Sequence, residues 1–229
     1  MKAVEKTGGK LLIPSFSIER TQELLYDMNE LFEKNFVRMP VVLDSPMAIK
    51  ATEIFKKFPD FYNKKTKDLL DSGDNPFSFP SFKYSVSVKE SMALKFVDGP
   101  ITIIAGSGMC TAGRIKHHIK NHIWDPKNVI LFVGYQSPGT LGYYIKKGEK
   151  NIRLLSDEVV VKAKVMSIDS FSGHADYKAL LTWTKNLGGI KNKVFVCHGD
   201  EDSAISYKAK LEKEGFTAYI PDLGEVLQL

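Results

Sequence analysis

Short apolar runs recur along the chain, each closed by glycine, serine or aspartate and followed by a stretch with helical spacing. Gly8-Gly-Lys-Leu-Leu-Ile-Pro-Ser-Phe16 reads as a buried strand ending in a turn. Ser17-Ile-Glu-Arg20 then opens a helix under a Ser or Thr cap, with apolar positions at Leu24, Leu25, Met28, Leu31 and Phe32. Pro40-Val-Val-Leu-Asp44 is the next strand, and Ser45-Pro46 starts a helix from Met47 to Phe58 that buries Ile49, Ile54 and Phe55 or their neighbours. Residues 59–99 are less regular, with a turn cluster at Asp71-Ser-Gly-Asp-Asn-Pro76, a short strand near Phe82 to Tyr84 and a helix over Ser87 to Phe96. Pro100-Ile-Thr-Ile-Ile-Ala105 and Asn128-Val-Ile-Leu-Phe-Val133 complete a set of strands alternating with helices, and a short helix opens at Leu141 to Ile145. Strands that are apolar throughout and separated by helices predict an α/β fold with a parallel, Rossmann-like sheet covered on both faces.

The rhythm changes after residue 150. Ile152-Arg-Leu-Leu, Glu158-Val-Val-Val and Ala163-Lys-Val-Met alternate with no room for a helix, which predicts antiparallel sheet and a boundary between folding units within 149–168. Two units follow: 8–150, and 151–229. In the second, Tyr177 to Leu187 forms a helix with Leu180, Leu181 and Trp183 partly buried, ended by Gly188-Gly189. Lys193-Val-Phe-Val-Cys197 is a strand, Glu201 to Glu214 an amphipathic helix, and Thr217-Ala-Tyr-Ile-Pro and Val226-Leu-Gln-Leu are closing strand fragments.

Composition narrows the class. The 229 residues, 43% hydrophobic and 26% charged, suffice for one large or two modest cores, and no apolar run is long enough to span a bilayer. No membrane partner is expected, and the Met1-Lys-Ala-Val-Glu-Lys start lacks a signal-peptide core, so the expected location is the cytoplasm. Cys110 and Cys197 have no CxxC partner and read as buried free thiols. A net charge of +5 admits a polyanionic partner, but the lysines are scattered rather than packed into a block.

The candidate chemistry sits in the turns. Ser170-Phe-Ser-Gly-His174-Ala-Asp176 and Cys197-His198-Gly-Asp200 each place a histidine just after a strand, fixed by the sheet and open to a cleft, where a ligand or acid–base group is useful. The alternative is a pair of satisfied histidines capping turns. Gly106-Ser-Gly-Met-Cys-Thr-Ala-Gly113-Arg114 lets backbone amides approach an anion, most simply a phosphate, before a helix N-terminus, though it is neither a dinucleotide fingerprint nor a P-loop. Gly134-Tyr-Gln-Ser-Pro-Gly-Thr140 follows the next strand, so several strand C-termini gather at one rim. His118 and His122, at i and i+4, read as a polar helix face rather than a metal pair, lacking a third ligand nearby.

Taken in series, these motifs resemble the β-CASP family of metallo-β-lactamase-fold nucleases, in its RNA-processing branch. Gly9-Lys-Leu-Leu-Ile-Pro-Ser-Phe-Ser-Ile-Glu-Arg20-Thr-Gln-Glu23 is similar to the opening of the β-CASP domain, and Gly106 to Gly113 and Gly134 to Thr140 to its two loops. Ser170 to Asp176 resembles motif B, and Val196-Cys-His198-Gly-Asp200 motif C. The resemblance implies that residues 8–150 form the β-CASP domain and 151–229 the closing β/α segment of a metallo-β-lactamase αββα domain. It implies a zinc-dependent ribonuclease in which His198 is a metal ligand and His174 a catalytic acid beside the scissile phosphate. Asp176, also a candidate for the catalytic set, caps a helix or holds a histidine. Ser107, Gly108, Met109 and Gly113 would line an RNA cleft, with Arg114 and Thr140 as phosphate contacts. The family's HxHxDH ligands and its motif A carboxylate have no match in this sequence, so the two-zinc site is expected to be incomplete here. The chain then reads as the C-terminal part of a longer protein, a natural fragment or one subunit of a split enzyme, inactive alone, whose partners are RNA and the missing N-terminal half. A homodimer, a non-catalytic RNA-binding or scaffold role, and a nucleotide-binding α/β domain stand as alternatives.

Overall fold

A computed structural model describes residues 1–36, 38–171, 173–187 and 193–227. By internal contacts the chain divides into Met1–Ser172 and Gly173–Leu229.

In the first unit the elements run α1 Lys2–Thr7, β1 Lys10–Pro14, α2 Arg20–Glu33, β2 Val41–Leu43, α3 Pro46–Lys56, α4 Lys64–Asp71, β3 Phe82–Tyr84, α5 Val88–Ala93, β4 Ile101–Ala105, α6 Ile115–His122, β5 Val129–Phe132, α7 Leu141–Lys147, β6 Asn151–Leu154, β7 Asp157–Val160 and β8 Lys164–Ser167. Six of these strands form one parallel sheet in the order β3-β2-β4-β1-β5-β8. Every residue of β1, β2 and β4 is buried, because helices cover both faces. Strand alternation divides the core accordingly. Leu11, Ile13, Val41, Leu43 and Ile104 pack with Leu24, Leu25, Met28 and Ala48 of α2 and α3. Leu12, Val42, Ile103, Ile130 and Phe132 pack with Ile115 and Ile119 of α6 and Ile145 of α7.

Several local expectations change. The helix expected from Ser17 begins at Arg20 with no side-chain cap; Glu19, at the cap position, has φ +64° and ends the preceding loop. There Thr21 Oγ1 donates to the Phe16 carbonyl at 2.7 Å and Gln22 Nε2 to that of Ser17 at 3.2 Å. In α3, Ser45 does cap Ala48 N–H, but Ala48 and Thr52 form the buried face and Ile54, off that stripe, is exposed. Among the described residues only β6 and β7 are antiparallel; their two-residue turn, Leu155 and Ser156, has positive φ at both positions, as a tight hairpin requires. β8 instead joins the main sheet parallel to β5, since Lys164 N–H donates to Asn128 O and Ile168 N–H to Phe132 O along β5's open edge.

The second unit contains α8 Tyr177–Asn186, β9 Lys193–Phe195, α9 Glu201–Lys213 and β10 Thr217–Tyr219, with β9 and β10 parallel. Ala204, Leu211 and Ala218 are its buried apolar side chains among the described residues. Trp183, expected to be partly covered, is 63% exposed, and Cys197, expected buried, is exposed. Both follow from a small unit whose two-stranded sheet gives α8 little to pack against. The Gly188-Gly189 helix stop and Gln228-Leu229 lie outside the described residues, while Val226 is exposed and belongs to no strand. Among the described residues no helix is long and apolar enough to cross a membrane.

Most consequential for the sheet, α6 is not a polar face: His118 and His122 are 3% and 6% exposed. Helical spacing turns both toward the layer built by Ile115 and Ile119. Burial, followed by the charges of Lys10, His118 and Lys95 and opposed by Asp125, pushes the His122 pKa from 6.5 to about 4. Above pH 6.5 the unfolded chain also carries this histidine neutral, so nothing is lost there; between 6.5 and 4 only the unfolded chain binds the proton, and stability falls with pH. The urea midpoint, followed by circular dichroism, is expected to drop as pH is lowered through this window. The full effect is of order 3 kcal/mol, and a His122→Leu variant should show a flatter profile.

Candidate functional site

Parallel strands bring their C-terminal ends to one edge of the sheet, and the loops leaving β1, β2, β4 and β5 meet there. Phe16 follows β1, Asp44 and Ser45 follow β2, the glycine-rich loop follows β4, and Gly134–Thr140 follows β5. Ser17 Oγ and Ser45 Oγ are 3.4 Å apart beneath Gly106, where an added Cβ would lie 3.4 Å from the Ser45 hydroxyl. Gly108 lies flat against the Phe16 ring, with a Cβ there only 2.7 Å from it. Gly113 has φ +76° and backs onto the Gly106 carbonyl, so this hairpin-like loop closes only with glycine at that position.

The loop's polar groups largely satisfy one another. Ser107 Oγ accepts from the Thr111 and Ala112 amides at 3.0 and 3.2 Å, and Ser107 N–H donates to Ala112 O. Buried Gln136 donates from Nε2 to Gly108 O at 2.9 Å, and Gly142 N–H donates to Met109 O, so the β4 and β5 loops form one assembly. Cys110 lies beneath, its thiol pushed up to about 12 by burial, which makes it packing rather than a nucleophile. Thr140 caps α7, accepting from Tyr143 N–H and donating to Ser137 O.

One residue that the sequence reading passed over holds this edge together. The Asp44 carboxylate is fully buried at the end of β2 and accepts from Arg114 Nη1 at 2.7 Å, His118 Nε2 at 2.6 Å and Ser91 Oγ at 2.6 Å. Arg114 continues to the carbonyls of Ser85 at 3.1 Å and Val86 at 3.0 Å. The guanidinium singled out as a phosphate contact thus clamps β2, the β3–α5 turn and the start of α6, directly after the glycine loop. The available signal was an acid closing an apolar strand, together with Arg114 and His118 at i, i+4 on one helix face. Burial by itself would raise the Asp44 pKa, but the hydrogen bonds from His118, Ser91 and Arg114 outweigh it and hold it down to about 2.

His174, Asp176 and His198 belong to the second unit. His174 and His198 are exposed, the latter with φ +60° in the turn after β9, and Asp176 caps α8 by accepting from Ala179 N–H at 2.8 Å. Ser107, Gly108, Met109, Gly113 and Arg114 share one loop, Thr140 sits in the loop tied to it, and all six lie in the first unit. Among the described residues no group of three or more His, Cys, Asp or Glu side chains is arranged to hold a metal ion. These residues alone do not compose a zinc site.

Residues 21–145 match the family described as the Beta-Casp domain, and residues 158–221 match the Zn-dependent metallo-hydrolase RNA specificity domain. A ribonuclease of Thermus thermophilus is 34% identical over 228 residues, covering 98% of this chain and 52% of its own length. Transcription termination factor FttA of Methanocaldococcus jannaschii is 34% identical over 206 residues, covering 87% of this chain and 32% of its own. An RNase J-like protein of the same archaeon is 30% identical over 226 residues, covering 98% and 51%. The chain therefore spans between a third and a half of these relatives.

Replacing Asp44 with Asn removes the charge that neutralises a largely buried guanidinium, and the expected cost is about 3 kcal/mol. Urea unfolding of wild type and Asp44→Asn measures it. The Asp44 contribution itself is complete above the ordinary carboxylate pKa of 3.8 and is lost as pH falls from there toward 2, so the two proteins should converge in strong acid.

Proposed function

The chain belongs to the β-CASP family, and from that membership we propose that it is the RNA-cleft portion of a zinc-dependent ribonuclease that hydrolyses phosphodiester bonds. The observation that carries the reading is the ordered pair of matches, a Beta-Casp domain followed by a metallo-hydrolase RNA specificity domain, in a chain with a loop-bearing rim built at the strand C-termini. A ribonuclease among the relatives supports RNA as the substrate.

The roles divide between the units. Residues 8–150 supply the RNA-facing β-CASP domain and 151–229 the closing segment of a metallo-β-lactamase domain, whose first part, β6 to β8, lies within the first unit. In the first, Ser107, Met109 and Gly113 present the loop surface to the RNA backbone, with Gly108 setting the loop's height against Phe16 and Thr140 fixing its neighbour. Arg114 acts on phosphate mainly by positioning, since its guanidinium already holds Asp44. In the second, His174 donates a proton to the leaving oxygen, Asp176 sets the start of α8 beside it, and His198 is one ligand of a zinc site whose other ligands come from an N-terminal half that this chain does not supply. That half is the principal protein partner.

Replacing His198 with Ala in the longest native protein that contains this chain tests the assignment. Zinc content should fall and RNA cleavage should drop by at least about 100-fold, with His174→Ala lowering cleavage while zinc is retained. Unchanged zinc and cleavage in both variants would overturn the enzyme reading and leave a non-catalytic RNA-binding role.

A further inference from the structure

A second polar cavity lies at the opposite edge of the sheet, at the amino-terminal ends of β1, β4 and β5. It has a volume of about 290 Å³ and its lining includes Gly9, Lys10, Lys95, His122, Lys127 and Asn128. Two features of its wall are unusual for a polar pocket. His122 is 94% buried by its 6% exposure, yet its Nε2 has no hydrogen-bond partner among the described residues. Lys10, at 9% exposure for the whole residue, carries a part-buried ammonium that donates to the Val97 carbonyl and makes no ion pair among the described residues. Burial lowers the Lys10 pKa, and the charge of Asp98 only partly offsets this.

The wall is held in place by Asn128. Its Oδ1 accepts from Lys10 N–H at 2.7 Å and its Nδ2 donates to His122 O at 2.8 Å, so the two cationic or donor groups are set by one side chain. Lys95 and Lys127 add two exposed ammonium groups to the lining. Of the two acids present, Asp98 stands near Lys10, while Asp125 Oδ1 accepts from the Lys127 backbone amide at 2.9 Å. Three lysines against two carboxylates, one of them turned to its own backbone, leave a positive field at a buried nitrogen that can donate. Backbone at Gly8 and Gly9 completes the wall without side chains; a Cβ on Gly9 would meet Lys127 O at 2.0 Å. A buried donor and an unpaired ammonium in one concavity both become satisfied by a compact anion.

We propose that this cavity is a binding site for a phosphate dianion, free or carried by a nucleoside monophosphate, contacted by Lys10 and His122 Nε2 and drawn in by Lys95 and Lys127. The cavity is large enough for inorganic phosphate with water and, at the lower limit of small-molecule sites, for a phosphorylated small molecule. It is separate from the strand C-termini that carry the candidate RNA rim and independent of the ribonuclease reading.

The test titrates sodium phosphate, against sodium chloride of equal ionic strength, into the full chain at pH 8. The readout is the His122 ring nitrogen and proton resonances, with thermal stability in parallel. A saturable shift of the His122 signals in the low-millimolar range or tighter is expected, with a matching rise in melting temperature. Lys95→Met/Lys127→Met, two exposed positions whose loss leaves the core intact, should weaken binding at least about fivefold. Adenosine monophosphate forms the second arm: tighter binding than phosphate assigns the anion to a nucleotide, equal or weaker binding to the free ion, and either supports the site. His122 signals that stay put up to about 20 mM phosphate, or that shift equally in the double variant, would overturn it and leave a cavity filled by water.

Discussion

The rim of the sheet depends on one buried carboxylate. Asp44 ends a strand with every residue buried, and no water reaches it to share its charge. Such a group is tolerated only if donors converge on it, and three do, from α5 and α6. Because Arg114 directly follows the glycine-rich loop, satisfying Asp44 also decides where that loop leaves β4 and where α6 begins. The remainder of the edge is built on this anchor: Gly108 seats against Phe16, Gln136 reaches back to Gly108 O, and Gly142 binds Met109 O. The loop's shape is held by polar atoms that find partners inside the protein.

Much of the fold was legible from local pattern. Apolar runs at 10–14, 41–43, 101–105 and 129–132 became parallel strands because only a sheet covered on both faces makes such runs soluble. Ser45-Pro46 started a helix as cap chemistry requires. What escaped were decisions made by distant partners. Nothing within the 164–167 run marks it as a parallel neighbour of β5 rather than a third antiparallel strand; the open edge of β5 decides that. His118 and His122 looked like a solvated face because their nearest sequence neighbours are lysines and asparagine, while the group that draws His118 inward lies 74 residues away.

The candidate site divided along the same line. Motif-level resemblance located the loops and the two turn histidines, since these are local runs with fixed spacing. It could not assign each side chain its partner. Arg114 and Thr140, read as phosphate contacts, hold the backbone that carries the loops, and Asp176 caps a helix. Asp44, without a motif of its own, drew no notice although it organises the edge. At the opposite edge, His122 and Lys10 line a cavity that no motif marks.

The second unit presents Tyr177, Trp183, Phe195 and Tyr219 to solvent around a two-stranded sheet, and its two turn histidines have no third metal-binding neighbour among the described residues. The most direct measurement is hydrolysis of a labelled RNA, with zinc supplied, by this chain alone and by a protein in which the HxHxDH-bearing half is joined to it. The chain alone is expected to give no cleavage above background, and the completed protein zinc-dependent cleavage. Cleavage by the isolated chain, or a completed protein that binds zinc and leaves RNA intact, would contradict this.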